Sequence, residues 1–385
     1  MKAQHLRTWI DISTQAIAHN YKVFRELISS ETKLLGVIKS NAYGHELFRF
    51  GIELQNLGAD WLGVDSITEA LALRKIGIKI PILVLGYTLP ENFELAGVKN
   101  ISLAISTFES IKALAKVNKK ISVHIKVDTG MHRQGFFVKD AQKVLQEISK
   151  LKNIKVDGVF THFAAAKKPD SSHATEKQIA IFKQAAALVK KYHPKALAHA
   201  AATAGTLNYP ESHFDMVRIG IGLYGLWPSE ETKKRFVGRG LKPIRSGRIT
   251  SPYLQPVLTW KTIISETKTV EKGERIGYDY TEELKRDSKI AILPIGYWHG
   301  YWRAFSSKAY VLVAGIRCKV LGKVSMDMIA VDVTNATKAK VGNEVVLLGK
   351  QGKEEVTADE LGTIANTSCY EIVTRLNPLI KKNYI

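Results

Sequence analysis

Leu34-Leu35-Gly36-Val37-Ile38-Lys39-Ser40-Asn41-Ala42-Tyr43-Gly44-His45 is the stretch from which the chain is best read. Its apolar half has the length of a strand buried on both faces. The run ends on Lys39, and a cation at the end of a buried strand is costly unless it has a partner or a task. Ser40-Asn41 is turn chemistry, and Gly44 punctuates the entry to the next segment. On its own, Lys39 also reads as a side chain snorkelling out of a strand end.

The same unit recurs along the chain: apolar run, turn, amphipathic segment. The runs fall at 34–39, 61–64, 81–85, 101–105, 121–127, 156–160, 196–200 and 214–219, with helical segments such as 67–76, 108–117 and 175–192 between them. About eight such units make a (β/α)8 barrel. An open doubly wound sheet is the alternative, weakened because no Gly-x-Gly-x-x-Gly turn follows the first strand. Near Pro243 the texture changes to β-branched, alternating runs at 257–264, 291–293, 311–313, 329–333 and 344–348, separated by glycine turns. The expected organisation is α/β: a TIM-type (β/α)8 barrel over 1–242, then a mostly-β domain over 243–385. The short alternating run Trp9-Ile10-Asp11-Ile12 is an N-terminal strand free to join the β domain, with Ser13 capping the next helix.

The chain has 385 residues, enough for a large core and more than one domain. Two cysteines, Cys318 and Cys369, argue against a disulfide framework and fit a reducing compartment. The N-terminus has no apolar h-region and no run approaches a membrane span, so a cytoplasmic protein without membrane contact is expected. The net charge of +20 raises the question of nucleic acid. The lysines are spread along the whole chain without an aromatic platform, which reads as a solvated basic surface and no nucleic-acid partner.

A barrel carries its chemistry at the C-terminal ends of its strands. Lys39 and Tyr43 follow the first run, Lys126, Asp128 and Arg133 the fifth, His162 the sixth, Thr203 the seventh, and Arg218, Gly220 and Ile221 the eighth. The small residues of 202–205 and 219–222 suit close approach of backbone N–H groups to an anion. For Arg218 a rim salt bridge with Asp215 or another acid is an equal reading.

Val-Ile-Lys-Ser-Asn-Ala-Tyr-Gly-His at 37–45 closely resembles the cofactor-lysine motif of alanine racemases, and the resemblance runs through most of the chain. It implies a pyridoxal 5'-phosphate (PLP) enzyme in which Lys39 forms the Schiff base. The phosphate would be bound by residues matching Tyr43, Thr203, Gly220, Ile221 and Tyr370. Segment 216–225 resembles the one placing an arginine, Arg218, on the cofactor's ring nitrogen. His199 matches a histidine beside the ring. His162 matches one that contacts both that arginine and a catalytic tyrosine. The tyrosine is Tyr278, in Arg275-Ile276-Gly277-Tyr278-Asp279-Tyr280-Thr281, which resembles the family's Gly-Tyr-Gly-x-x-Tyr-Thr with Asp279 in place of the second glycine.

Racemisation needs a base on each face of the Cα, here Lys39 and Tyr278. A phenol needs cationic help to serve near neutrality. Arg133 matches the arginine near the substrate carboxylate, and Lys126 matches a lysine carbamylated in many members. Met326 and Tyr297 match substrate-site positions. No metal is expected. The resemblance implies a homodimer with shared sites that interconverts L- and D-alanine through a PLP aldimine, supplying D-alanine for peptidoglycan.

There are departures. Gly296-Tyr297-Trp298-His299-Gly300-Tyr301-Trp302-Arg303 stands where the family has Gly-Tyr-Ala-Asp-Gly-Tyr-Pro-Arg. Ala202 replaces an asparagine, and His132 a glycine. These leave open a racemase of the same fold with broader or different amino acid specificity. A fold-related PLP decarboxylase would carry a cysteine motif that the surroundings of Cys318 and Cys369 do not resemble. A non-catalytic single-barrel PLP protein would lack the β domain and Tyr278.

Overall fold

The computed structural model describes residues 6–168, 172–238 and 253–385. Internal contacts divide them into two compact units, drawn from residues 17–42 and 47–255, and from 1–16, 43–46 and 256–385. The change of texture near Pro243 lies outside the described residues.

The first unit is a parallel barrel. Its strands are Lys33–Val37, Trp61–Val64, Ile82–Val84, Ile101–Ile105, Ile121–Asp128, Ile154–Phe160, Leu197–His199 and Met216–Ile219, each hydrogen-bonded to the next in chain order through the seventh. The eighth strand pairs in parallel with the first, Met216 opposite Lys33 and Ile219 opposite Gly36. Between seventh and eighth, Asp215 N–H donates to Ala198 O at 3.0 Å and Arg218 N–H to Ala201 O at 2.9 Å. The pairings thus run all the way round, and the open-sheet alternative is excluded. The strands are short and almost wholly buried because helices cover their outer faces while side chains fill the inside. Along Ile121–Asp128 the two-residue period puts His124, Lys126 and Asp128 on one face.

Helix starts match their sequence signals. Ser66 Oγ accepts from Glu69 N–H at the head of Ile67–Lys75, and Thr107 caps Phe108–Leu114 by the same bond to Ser110.

The second unit is a mostly antiparallel sheet of ten strands. In spatial order it runs Glu266–Val270, Ser288–Leu293, Ile329–Asp332, Ile316–Leu321, Tyr310–Val313, Glu344–Gln351, Leu258–Ile263, Thr8–Ile12 and Lys381–Tyr384, with Glu354–Val356 added to Glu344–Gln351. Thr8–Ile12 lies between Leu258–Ile263, antiparallel, and Lys381–Tyr384, parallel. Leu258–Ile263 alternates buried and half-buried residues, with Trp260 sealed in the core. Four strands of this sheet escaped the apolar-run reading, among them the short Glu354–Val356, of which only Val356 is buried. Glu266–Val270 and Lys381–Tyr384 bury no residue fully, and Ile316–Leu321 interleaves Arg317 and Lys319 with its apolar positions.

Candidate active site

The chain after the first barrel strand takes an unusual path. Ser40, Asn41, Ala42 and Tyr43 all have φ between 50 and 55°, a full turn of left-handed helix without glycine. Each non-glycine residue of that hand costs about 1–2 kcal/mol, so the turn stands only because its surroundings hold it. Asn41 N–H donates to Glu69 Oε1 at 3.2 Å, and Leu47 N–H donates to Asn41 Oδ1 at 3.0 Å. Glu69 Oε2 also accepts Asp65 N–H at 2.9 Å. At the head of this turn, half-exposed Lys39 places Nζ 3.2 Å from Asp65 Oδ1. The amine therefore meets a carboxylate rather than simply snorkelling. Neither Asp65 nor the strut role of Glu69 was read from sequence. The Ser66-x-x-Glu69 capping signature was there to suggest that a helix begins beside the turn.

Arg218, on the eighth strand, is 3% exposed and has no carboxylate partner among the described residues. Asp215 instead pairs with Lys190 at 2.6 Å and accepts Ala198 N–H at 2.7 Å, so the rim salt bridge with Asp215 is not formed. The two terminal guanidinium nitrogens donate inward. Nη1 donates to His199 O at 2.9 Å and His199 Nδ1 at 3.0 Å. Nη2 donates to Thr161 O at 2.7 Å, Ala200 O at 2.9 Å and His162 Nδ1 at 3.3 Å. Burial lowers Arg218 only to about 9, and it remains a cation at neutral pH. Its Nε–H makes no hydrogen bond among the described residues. Arginine cannot accept, so His162 and His199 must each present a bare Nδ1. Both are held neutral. Burial, then Arg218, Arg133, Lys126 and Lys39 push His162 down to about 3, and burial, Arg218 and His124 push His199 well below its ordinary value.

Lys126 Nζ donates to Gln134 Oε1 at 2.7 Å and lies 5.5 Å from the centre of the Phe160 ring. Burial, then Arg133, Arg218 and Lys39 lower its amine to about 8. Arg133 is exposed on the loop after the fifth strand, where Asp128 Oδ1 gathers the N–H groups of Gly130, Met131 and His132 at 2.9–3.1 Å. After the seventh and eighth strands, buried Thr203 Oγ1 accepts Gly220 N–H at 3.2 Å and Gly222 N–H at 3.4 Å, with buried Ile221 between them. The barrel thus brings Lys39, Lys126, Arg133, His162, His199, Thr203, Arg218, Gly220 and Ile221 to strand ends. Its cations outnumber the nearby acids, which suits an anionic guest.

The remaining candidates lie in the second unit. Tyr43 and Tyr370 set their rings 6.2 Å apart, and burial, then Tyr43 and Cys369, raise the Tyr370 phenol so that it stays a donor. Tyr278 is 67% exposed, Tyr297 42% and Met326 54%. Their loops are tied together: Tyr297 N–H donates to Ser325 O and Trp298 N–H to Met326 O, both at 3.0 Å, and Lys323 pairs with Asp279. His299, where the family pattern has an acid, still supplies an acceptor, taking Gly296 N–H on Nδ1 at 3.2 Å.

The residues fit PLP on chemical grounds. A half-exposed amine, a buried arginine with one uncommitted N–H, and a hydroxyl among backbone N–H groups match an aldehyde, a ring nitrogen and a phosphate. Among the described residues no cluster able to hold a metal is found, and no helix is long and apolar enough to cross a membrane.

A parallel barrel with cationic strand ends, on one chain with a mostly antiparallel β unit, is the architecture of two-domain barrel racemases. Residues 12–228 match the family described as alanine racemase, N-terminal domain, and residues 257–384 match alanine racemase, C-terminal domain. Alanine racemase of Methylacidiphilum infernorum is 37% identical, covering 99% of this chain and 93% of its own. That of Symbiobacterium thermophilum is 37% identical over 98% of this chain and 97% of its own. The solved alanine racemase of Clostridium difficile superposes with a TM-score of 0.88 at 31% identity, covering 99% and 96% of the two chains. The Bacillus anthracis enzyme, solved with bound L-Ala-P, gives 0.88 at 31% identity, covering 99% and 95%. The chain belongs to the alanine racemase family of PLP-dependent isomerases.

Proposed function

We propose that this protein interconverts L- and D-alanine with PLP, in the cytoplasm, as a homodimer, and supplies D-alanine for peptidoglycan. The observation that carries the reading is Lys39 at the head of a strained turn, in a barrel whose buried Arg218 has every donor committed except Nε–H. Bound PLP supplies an electron sink for negative charge at the substrate Cα. Residues 1–242 are taken as the cofactor-holding domain and 243–385 as the domain that contributes the opposed base.

Lys39 Nζ holds the cofactor's aldehyde at rest and moves the proton on one face of the Cα. Tyr278 Oη, from the partner subunit in the proposed dimer, moves the proton on the other. Arg218 would offer its Nε–H to the ring nitrogen and, having no acidic proton to give, would leave that nitrogen unprotonated. Such a contact would restrain the sink that bound PLP supplies and would disfavour transamination. His199 packs beside the ring, and His162 joins Arg218 to Tyr278. Tyr43, Thr203, Gly220, Ile221 and Tyr370 bind the phosphate. Arg133, the Met326 backbone and Tyr297 receive the substrate carboxylate.

Lys126 is proposed as a carbamate. Its amine, lowered to about 8, has a neutral fraction near neutrality that can attack CO2, forming an N–C bond and releasing a proton to solvent. An intact mass without the added CO2, with plain amine density at Lys126, rejects this.

A second reading is the same chemistry on a wider set of amino acids. It is favoured by Trp298 and Trp302, at 58% and intermediate exposure, in the segment that departs from the family pattern. The test is a panel of L-amino acids incubated with protein produced with vitamin B6, read by chiral chromatography and by deuterium uptake at Cα. Alanine is expected to racemise fastest. Absence of exchange from alanine would sink the proposal.

A further inference from the structure

His124, on the fifth barrel strand, has no part in the chemistry proposed for the site. We propose that it is a positioning residue: it accepts the Nε2–H of His199 and thereby holds that ring in the one tautomer able to receive an N–H from Arg218. The functional half of this inference rests on the proposed PLP reading; the tautomer assignment does not.

Each donor forces the next acceptor. Arg218 can only donate, and its Nη1 lies 3.0 Å from His199 Nδ1, so that nitrogen carries a lone pair. A neutral His199 then carries its proton on Nε2. That atom lies 2.9 Å from His124 Nδ1, which must accept it. His124 is neutral too, held down to about 4 by burial, with Asp157 opposing and Arg218 and Lys155 assisting. Its proton is therefore on Nε2, an atom that is buried and has no hydrogen-bond partner among the described residues.

A buried N–H without a partner is a cost that an apolar side chain would avoid. The surrounding fold nonetheless makes room for this ring. A Cβ at Gly158 would lie 2.3 Å from His124 Nδ1, so the neighbouring strand must be glycine there for the accepting nitrogen to fit. Trp61 meets His124 edge-on at 5.2 Å, and Phe160 stacks on His199 at 4.9 Å with the planes 4° apart. The rings are thus fixed, and the tautomer is set by the acceptor behind them. Without it, His199 can carry its proton on Nδ1, opposing N–H to N–H against Arg218. Arg218 then moves, and water competes with it for the ring nitrogen.

Neutron diffraction from crystals of the wild-type holoenzyme reads the assignment directly. Deuterons are expected on Nε2 of both His124 and His199, with none on His199 Nδ1; a deuteron on His199 Nδ1 overturns the proposal. Two variants read the consequence. His124→Gln keeps an acceptor and should preserve both the visible absorbance band and the ratio of transamination to racemisation within about threefold. His124→Phe removes the acceptor and should shift the band and raise that ratio about tenfold, the scale of one hydrogen bond to a charged group. If His124→Phe lowers only the melting temperature, with band and ratio unchanged, the residue is merely structural and the proposal fails. Should His124→Phe not fold, the neutron map and His124→Gln still decide. Wild-type protein that takes up no PLP would defeat the functional reading, while the protonation of the two rings remains separately measurable.

Discussion

Arg218 and Tyr278 are both proposed to serve one reaction, yet their surroundings are opposites. Arg218 is 3% exposed and commits its terminal nitrogens to carbonyls and imidazoles of its own barrel. Tyr278 is 67% exposed, in loops that also present Tyr280 at 68%, Trp298 at 58%, Met326 at 54% and Met328 at 57%. One region meets partners from its own chain at every guanidinium nitrogen except Nε. The other displays aromatic and thioether side chains to solvent, as a surface awaiting a partner does. The contrast suits the proposed two-copy site, in which one subunit holds the cofactor-binding groups and the other presents the opposed base.

The most severe test of this contrast is Lys39→Ala. Racemisation should fall by at least about 10⁴-fold and borohydride should fix no adduct at position 39. A coloured, active variant would end the assignment. Tyr278→Phe should slow Cα deuterium exchange from one enantiomer by roughly 10²–10⁴-fold while the cofactor band persists; equal loss from both enantiomers counts against two opposed bases. Co-expressing Lys39→Ala with Tyr278→Phe tests sharing itself. If each site draws on both subunits, every mixed dimer regains one intact site of its two, so a statistically assembled population recovers about a quarter of wild-type activity. No recovery, with mixed dimers shown to form, would place both bases in one chain.

Smaller effects are expected on stability. Gly44 has φ +86° and a Cβ there would lie 2.1 Å from Val373 O, so Gly44→Ala should lower unfolding stability by about 3 kcal/mol or more in urea titrations. The buried imidazoles make the fold acid-sensitive. His124 and His162 stay neutral down to about 4 and about 3, whereas the unfolded chain binds protons from about 6.5. Stability is therefore fully present above pH about 6.5 and lost as pH falls toward those values. His124 alone contributes on the order of 3 kcal/mol over that window. A urea midpoint flat from pH 7 to 4 would contradict this. The smallest effect concerns the thiols. Burial drives Cys318 and Cys369 up to about 12, so iodoacetamide at pH 8 should leave mass and activity unchanged.

Much of this was legible in the chain itself, because buried parallel strands are written as unbroken apolar runs. All eight barrel runs stand where they were read, and Ser13 does cap its helix, accepting Ala16 N–H at 3.1 Å. The β strands Glu266–Val270 and Lys381–Tyr384 were not legible, since polar edge segments are specified by pairing rather than by their own pattern. The motif resemblance nominated Lys39, Arg218 and Tyr278, whereas Asp65, Glu69 and His124 act through long-range contacts that no local spacing records. Nor could residue types reveal the handedness at 40–43: Asn41 tolerates that conformation, but Ser40, Ala42 and Tyr43 do not announce it.

That mirror-handed turn has a consequence for assembly. Its own residues prefer the opposite screw sense, so it cannot nucleate locally and must be moulded by Glu69 and Leu47 after the barrel around them exists. The proposed aldehyde anchor is thus among the final pieces to set during refolding, and pulse-labelling should find the amide of Asn41 protected later than those of the strand before it. A nascent or half-folded chain cannot offer that shaped perch, which reserves cofactor capture for molecules that have already finished their barrel.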